Sequence, residues 1–401
     1  MPLVLWRDAR VQRIAVQALV LAIVAIIGWF LVDNLISELD RTGLQAMPFV
    51  EVSGSFPFVD FSEDFLSQRA GFGIGETSFG VDYTPNNSYA DAFRAGLANT
   101  FRVAVLGIVL ATAIGLLAGV SRLSKNWLVS HLAEAYVETF RNVPLLVQLI
   151  FWYTAVALRL PTITDTMDLL GVMLVSNRGV AVAWGEPQDG FRLWLLLLGG
   201  AMVIALVVRA ALVRWQDASG TPRYPWWGAF GVFAAIGAIT FFATGQPLEF
   251  QRPVLEGRAY AGGAQLSPEF VALLVGLVLY TGAFIAEVVR GSILAIPRGQ
   301  DEAAAAVGLK AMQRLRFVIL PQALRIMVPP LTNQYLNLMK NSSLAVAVAF
   351  PDVFQVTRVT INQTGQAVPM IVLVMATYLT ISLAISAVMN LAYNRGLRGG
   401  R

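Results

Sequence analysis

Long apolar runs alternate with shorter polar stretches along the whole chain. Runs at 14–32 (IAVQALVLAIVAIIGWFLV), 97–123, 193–213, 226–242 and 269–290 are each on the order of 20 residues, the length an α-helix needs to cross a ~30 Å hydrocarbon core. Three more, at 128–158, about 324–349 and 368 to about 392, are apolar over much of their length. The pattern predicts an all-α membrane protein with about eight transmembrane helices. Strand-like alternation is weak, which argues against a β-barrel. The first run follows Arg7, Arg10 and Arg13, as in a signal peptide, but it is long and no small-residue cleavage site follows directly. Residues 1–32 therefore read as an N-terminal transmembrane anchor.

The segments between the runs are unlike one another. Residues 33–95 are acidic and turn-rich and read as a compact extracytoplasmic loop; their GFGIG run lacks the GK[ST] of a phosphate loop. Residues 96–392 hold the remaining spans. Ala111, Gly115 and Gly119 fall four apart and line one helix face, where small residues allow close backbone approach. In 128–158 the first half is polar, with Glu134 and Glu138, and Pro144 can bend the helix where the apolar half begins. Residues 159–192, 243–268 and 351–367 read as loops. The runs 193–213 and 226–242 share a short linker and read as an inserted helical hairpin, about 190–245, with Trp226 and Trp227 at the end of a span, where interfacial aromatics are expected.

Charge orients the scheme. An even number of spans puts both termini on one side. That side holds Arg7, Arg10, Arg13, Arg122, Lys125, Arg209, Arg214, Arg290, Arg298, Lys310, Arg314 and the basic tail 393–401, while acidic residues concentrate opposite. Basic loops stay in the cytoplasm, so both termini and the loop 291–323 are expected there. The net charge of +4 reflects this bias, and no nucleic-acid partner is expected. Only 13% of residues are charged, against roughly a quarter in a soluble domain. There is no cysteine and one histidine, His131, so thiol catalysis and a Cys/His metal site are excluded. No nucleophile–base pair suggests catalysis, and no cofactor is expected in this chain.

The stretch GQDEAAAAVGLKAMQRLRFVILPQALRIMVPP, 299–330, is too long for a simple connector. Asp301 and Glu302 suit a helix N-terminus, the alanines that follow favour a helix without bulk, and Gly308 suits its C-cap. A second short helix is expected from Lys310, with Met312, Leu315 and Ile319 on one face and Pro321 closing it. Two short helices hinged at Gly308 suit insertion into a partner's groove; the other reading is an amphipathic hairpin lying on the lipid surface.

This stretch resembles the EAA signature of ABC-importer permeases: Glu302, Ala303, Ala304, Gly308, Leu320 and Pro321 match, and Val318 stands where the usual pattern has Ile. YVETFRNVPLLVQLIFWY (136–153), AFIAEVVRGSI (283–293) and LPQALRIMVPPLTNQYLNLMKNSSL (320–344) are similar to the polar-amino-acid branch of that family. Residues 71–128 and 175–179 resemble a permease subunit of the general L-amino-acid importers. The resemblance implies a type I ABC-importer (MetI-like) permease core in a bacterial inner membrane, with 33–95 periplasmic. It implies that 291–323 is a coupling loop docking on an ABC ATPase subunit, itself a dimer. It also implies a second permease subunit and a periplasmic amino-acid-binding protein as partners, beside membrane lipid. No GxxxxGK[ST] is present, so ATP hydrolysis is expected on another chain. A gradient-driven secondary transporter or channel is the alternative; it predicts inverted internal repeats, and none is clear.

Polar groups in or beside spans are the substrate-pathway candidates: Arg141, Glu287, Asn337, Lys340, Ser342 and Ser343, with Asn333 and Asn341 nearby. A charge in a span faces a cavity or a partner. A zwitterionic amino acid needs an acceptor for its ammonium and donors for its carboxylate, which Glu287 and Lys340 can supply. The rival reading pairs Glu287, Arg141 and Lys340 internally to hold helices together.

Overall fold

Helix α1 (Tyr89–Ser121) begins on a local signal. The Ser88 hydroxyl accepts the Asp91 N–H at 3.2 Å and the Asp91 carboxylate accepts the Ser88 N–H at 3.3 Å, a reciprocal cap that satisfies two orphan donors. Its small residues Gly107, Ala111, Gly115 and Gly119 are buried along one face. Most of that face packs against α6 (Pro268–Leu294), which brings its own Gly282, Ala283 and Ala286 to the contact. A Cβ on Gly115 would lie 2.4 Å from Ile285 and one on Gly119 would lie 2.7 Å from the Ala286 carbonyl. The two backbones touch, as the spacing of Ala111, Gly115 and Gly119 predicts.

A computed structural model describes residues 63–220, 224–257 and 259–398. The expected anchor at 1–32 and the first part of the loop 33–95, residues 33–62, lie outside the described residues. Residues from Phe65 onward form one compact unit. Among the described residues five helices are long and apolar enough to cross a membrane, and two bent pairs raise the number to seven. These correspond to the seven apolar segments expected after residue 96.

The first bent pair is α2 (Trp127–Asn142) and α3 (Leu145–Phe151, continued by a π-turn at Trp152–Val156), meeting at 104°. Pro144 sets the break, because the residue before a proline is driven out of the α region, and Val143 is extended at φ −94°, ψ 130°. The break frees carbonyls at the end of α2, and the buried Gln148 amide donates to two of them, Phe140 and Val143, each at 2.9 Å. Tyr136 of α2 donates to the Leu279 carbonyl of α6 at 2.8 Å.

The segments 159–192 and 243–268, expected as loops, carry short antiparallel strands. β1 (Met167–Leu169), β2 (Met173–Ser176), β3 (Gly179–Val182) and β8 (Ala264–Leu266) form one sheet in the order β1-β2-β3-β8. β4 (Trp184–Pro187) pairs with β5 (Leu248–Gln251), and β6 (Val254–Glu256) with β7 (Ala259–Ala261). Strands of three or four residues are too short to leave a two-residue period in the sequence. The β4–β5 ribbon is the root of the inserted hairpin, α4 (Phe191–Ser219) against α5 (Pro225–Ala243).

After α6 come α7 (Arg298–Ala306), α8 (Ala311–Arg314) and α9 (Leu320–Asn341), the last two joined by a π-turn at Leu315–Ile319. Pro321 therefore does not close the second coupling helix as expected. The π-turn hands the ladder on, with the Leu320 N–H returning to the Leu315 carbonyl, and Pro321 falls in the first turn of α9, where its missing N–H costs nothing. α9 runs through a 3₁₀ segment (Ser342–Val348) into α10 (Val353–Thr364), bent by 52°, and α11 (Ala367–Arg398) follows. Residues 351–367 are thus mostly helix rather than loop. Buried Asp352 caps α10 by accepting the Gln355 N–H at 2.8 Å, and Thr100 of α1 accepts the Val353 N–H at 2.9 Å. One apolar cluster centres on Leu149, Phe270, Leu273 and Phe350, and a second on Ile285, Met327, Leu331 and Leu338.

Gly119→Val should drive α1 from α6 and cost about 1–3 kcal/mol by overpacking. Gly199→Ala, where an added Cβ meets nothing within 4 Å, should be neutral. Thermal denaturation of the purified variants checks both.

Candidate functional site

The stretch 299–330, expected to couple to a partner, begins as a helix-turn-helix with a defined hinge. Gly308 has φ +86°, a conformation that a side chain disfavours. Its N–H donates to the Ala305 carbonyl at 2.9 Å and the Leu309 N–H to Ala304 at 3.2 Å, the paired bonds of a Schellman stop. Beyond the turn, the Gln313 amide oxygen accepts the Lys310 N–H at 2.9 Å and starts α8. Arg314 reaches back across the turn and donates to Asp301 at 2.7 Å, clamping α8 to α7. That clamp joins residues thirteen apart, beyond the reach of helical spacing rules.

Of the signature residues, Ala304 is buried in the hairpin while Glu302, Ala303, Gly308, Leu320 and Pro321 are exposed. The expected apolar face of the second helix is largely uncovered: Met312 is 72% exposed, and off that face Phe317 is 61% and Val307 at the turn 77% exposed. Leu315 is exposed too, and Ile319 is half-buried.

Glu287 occupies a second site, two turns from the end of α6 that leads into α7. Its carboxylate pairs with Arg122, directly after α1, and with Arg290, one turn further along α6. Arg122 is only 10% exposed and also faces Glu134 of α2 at 3.6 Å. Internal pairing therefore holds for Glu287, but with Arg122 and Arg290 in place of Arg141 and Lys340. Arg141 stacks on Phe284 with its guanidinium carbon 5.2 Å from the ring centre. Lys340 lies on α9 and is exposed, with no ion pair among the described residues. Sequence reasoning missed Arg122 because it reads as an ordinary basic residue at a span end; only the α1–α6 contact brings it under Glu287.

Two polar stripes remain uncovered. Asn333, Asn337 and Lys340 share one face of α9, and Glu134, Glu138 and Arg141 share one face of α2. Each follows i, i+4, i+7 spacing, and all six are exposed. Asn341 is half-buried at the end of α9. Ser342 and Ser343 turn inward along the backbone, donating to the Met339 and Lys340 carbonyls at 2.7 and 2.8 Å. They close the end of α9 rather than extend the stripe.

Comparison with known proteins agrees with this arrangement. The family described as binding-protein-dependent transport system inner membrane component matches residues 111–395. The chain is 42% identical over 330 residues to the general L-amino acid transport system permease protein AapQ of Rhizobium johnstonii, covering 81% of each. It is 40% identical over 381 residues to the putative amino-acid ABC transporter permease protein YhdX of Escherichia coli, covering 94% of this chain and 91% of that one. It is 37% identical over 427 residues to the glutamate/glutamine/aspartate/asparagine transport system permease protein BztB of Rhodobacter capsulatus, covering 98% and 95%. The chain belongs to this family: it is a helical inner-membrane component of a binding-protein-dependent transport system.

Glu287→Gln should leave Arg122 with a weaker partner at a nearly buried site and cost about 1.5–3 kcal/mol, the range for hydrogen bonds to charged groups. Thermal denaturation checks the loss. The double variant Arg122→Met/Glu287→Gln should recover part of it, which separates the pair from a local packing defect.

Proposed function

We propose that this chain is a permease subunit of an ATP-binding-cassette importer that moves L-amino acids across the bacterial inner membrane. The observation that carries the reading is the exposed apolar end of the coupling hairpin: Val307, Met312 and Phe317 stand uncovered on two helices clamped by Asp301–Arg314 and stopped at Gly308. A rigid apolar tip of this kind fits a groove on a separate ATPase dimer, and Glu302, Ala303 and Gly308 form the part that enters it. Leu320 and Pro321, at the start of α9, carry its motion into the spans. The sequence holds no GxxxxGK[ST] loop, so this chain performs no hydrolysis of its own. Amino acids are the substrate class because all three relatives are named for amino-acid transport.

The two polar stripes point to a second permease subunit. A charge left against hydrocarbon costs at least ~2.5–3.5 kcal/mol at mid-membrane, so exposed Lys340 and Arg141 call for a protein or aqueous neighbour. A path shared between two permeases covers both stripes. In that arrangement Asn333, Asn337 and Lys340 offer donors to a substrate carboxylate. Glu287 holds α1 and α6 together at the cytoplasmic end instead of meeting substrate. A periplasmic amino-acid-binding protein delivers substrate to the face that carries the small sheets.

Vesicles containing the assembled complex test the reading. Uptake should require internal ATP, and uptake that continues after ATP removal overturns it. Glu302→Lys should lower ATPase co-purification about tenfold or more, equivalent to ~1.4 kcal/mol, while membrane insertion stays normal. Lys340→Ala should raise KM or shift substrate preference with assembly intact; unchanged kinetics for every amino acid tested removes Lys340 from the path.

A further inference from the structure

The inserted hairpin α4–α5 contributes to none of these sites, yet it carries an unusual cation. Its faces are apolar and uncovered: Leu196, Val203, Val207, Ile239 and Phe242 are all exposed, and buried positions are confined to Ala201, Ala205 and Ala229 among the described residues of the pair. In an inner-membrane protein such faces meet lipid. α5 has 19 residues and is therefore about 28 Å long, close to the thickness of the hydrocarbon core. Its first turn, with Trp226 and Trp227, accordingly falls at a membrane–water interface, where indoles concentrate.

Arg209 of α4 is held at that level. Its guanidinium carbon lies 4.2 Å from the centre of the Trp226 ring. Its Nε is shielded from solvent and has no hydrogen-bond acceptor. Asp217 is the one acidic residue in 191–243, and Arg209 forms no ion pair with it or with any other described residue. Arg214, exposed five residues further on, adds a second positive charge toward the same end of α4, beside exposed Trp215. The result is a planar cation with one face on an indole, no counter-ion among the described residues, and a position where lipid phosphates lie. Its terminal Nη groups, donors in a planar fork, match the oxygens of a phosphate.

We propose that the Arg209–Trp226 corner of the hairpin is a binding site for the phosphate headgroup of an anionic phospholipid. The headgroup accepts from the Arg209 Nη groups, Arg214 supplies the additional charge that favours anionic over zwitterionic lipid, and the acyl chains lie along the apolar face of the hairpin. The inserted hairpin then fixes this subunit to a particular lipid as well as to the membrane.

The full-length chain, reconstituted with equal phosphatidylglycerol and phosphatidylcholine and then extracted in mild detergent, tests the site through native mass spectrometry of retained lipid. Wild type should retain phosphatidylglycerol preferentially. Arg209→Gln should lower that preference by about fivefold, the effect of one interfacial charge. Arg209→Lys should keep part of it, because the charge remains while the fork is lost. Trp226→Leu, which keeps the span apolar, should also weaken it and serves should Arg209→Gln fail to insert. Equal retention of the two lipids by wild type overturns the proposal, as does an unchanged preference in Trp226→Leu or in a folded Arg209→Gln. Displacement of the bound lipid by millimolar inorganic phosphate overturns the assignment to a lipid.

Discussion

The close approach of α1 and α6 is the constraint on which the rest of the unit depends. Lipid offers no hydrophobic force to press two apolar helices together, so packing and hydrogen bonds must do it. Gly115 and Gly119 on one side and Gly282 and Ala286 on the other remove the side chains that would hold the backbones apart. Tyr136 then fits over Gly282, where an added Cβ would lie 2.8 Å from its hydroxyl, and bonds to Leu279. Thus α2 takes its place against α6 through the same gap. α9 reaches the same surface from another side, through a hydroxyl–hydroxyl hydrogen bond between Thr112 of α1 and Tyr335 at 2.9 Å.

The same contact places the charged network. Arg122 follows directly after α1, and Glu287 lies on the turn of α6 that faces it, so the packing of the small residues presents one charge to the other. Arg290 and Glu134 complete a group that ties α1, α2 and α6 at the end from which the coupling hairpin departs. Only seven residues lie between Arg290 and Arg298, where α7 begins. In the proposed coupling role, a push on the hairpin meets a joined bundle. The hairpin is stiffened by its own Arg314–Asp301 bond, an exposed pair worth about 0–1 kcal/mol, which sets geometry more than stability.

Much of the fold was legible in the chain. Apolar runs located the spans after residue 96, since the hydrocarbon thickness allows few other lengths. Gly308 identified the hinge because a helix stop with positive φ favours glycine, and Pro144 identified the break because its effect on Val143 is local. The strands between spans were illegible, because three or four residues form no period. The helix at Val353–Thr364 was also missed; its polar positions resemble a loop until Asp352 and Thr100 cap its start.

What the sequence determined by itself is what neighbouring residues decide: span lengths, caps, the hinge, the small-residue face of α1 and the EAA-like signature. What only the tertiary structure decided is which distant groups meet. Glu287 takes Arg122 as its partner, over Arg141 and Lys340, because the Gly115–Gly119 contact fixes the register of α1 on α6. Ser342 and Ser343 turn to their own backbone because α9 tightens into a 3₁₀ turn there. Arg209 stands beside Trp226 because α4 and α5 fold back on one another. Each of these depends on two helices approaching at one register, and hydrophobic spacing along a single helix carries no information about the register of another.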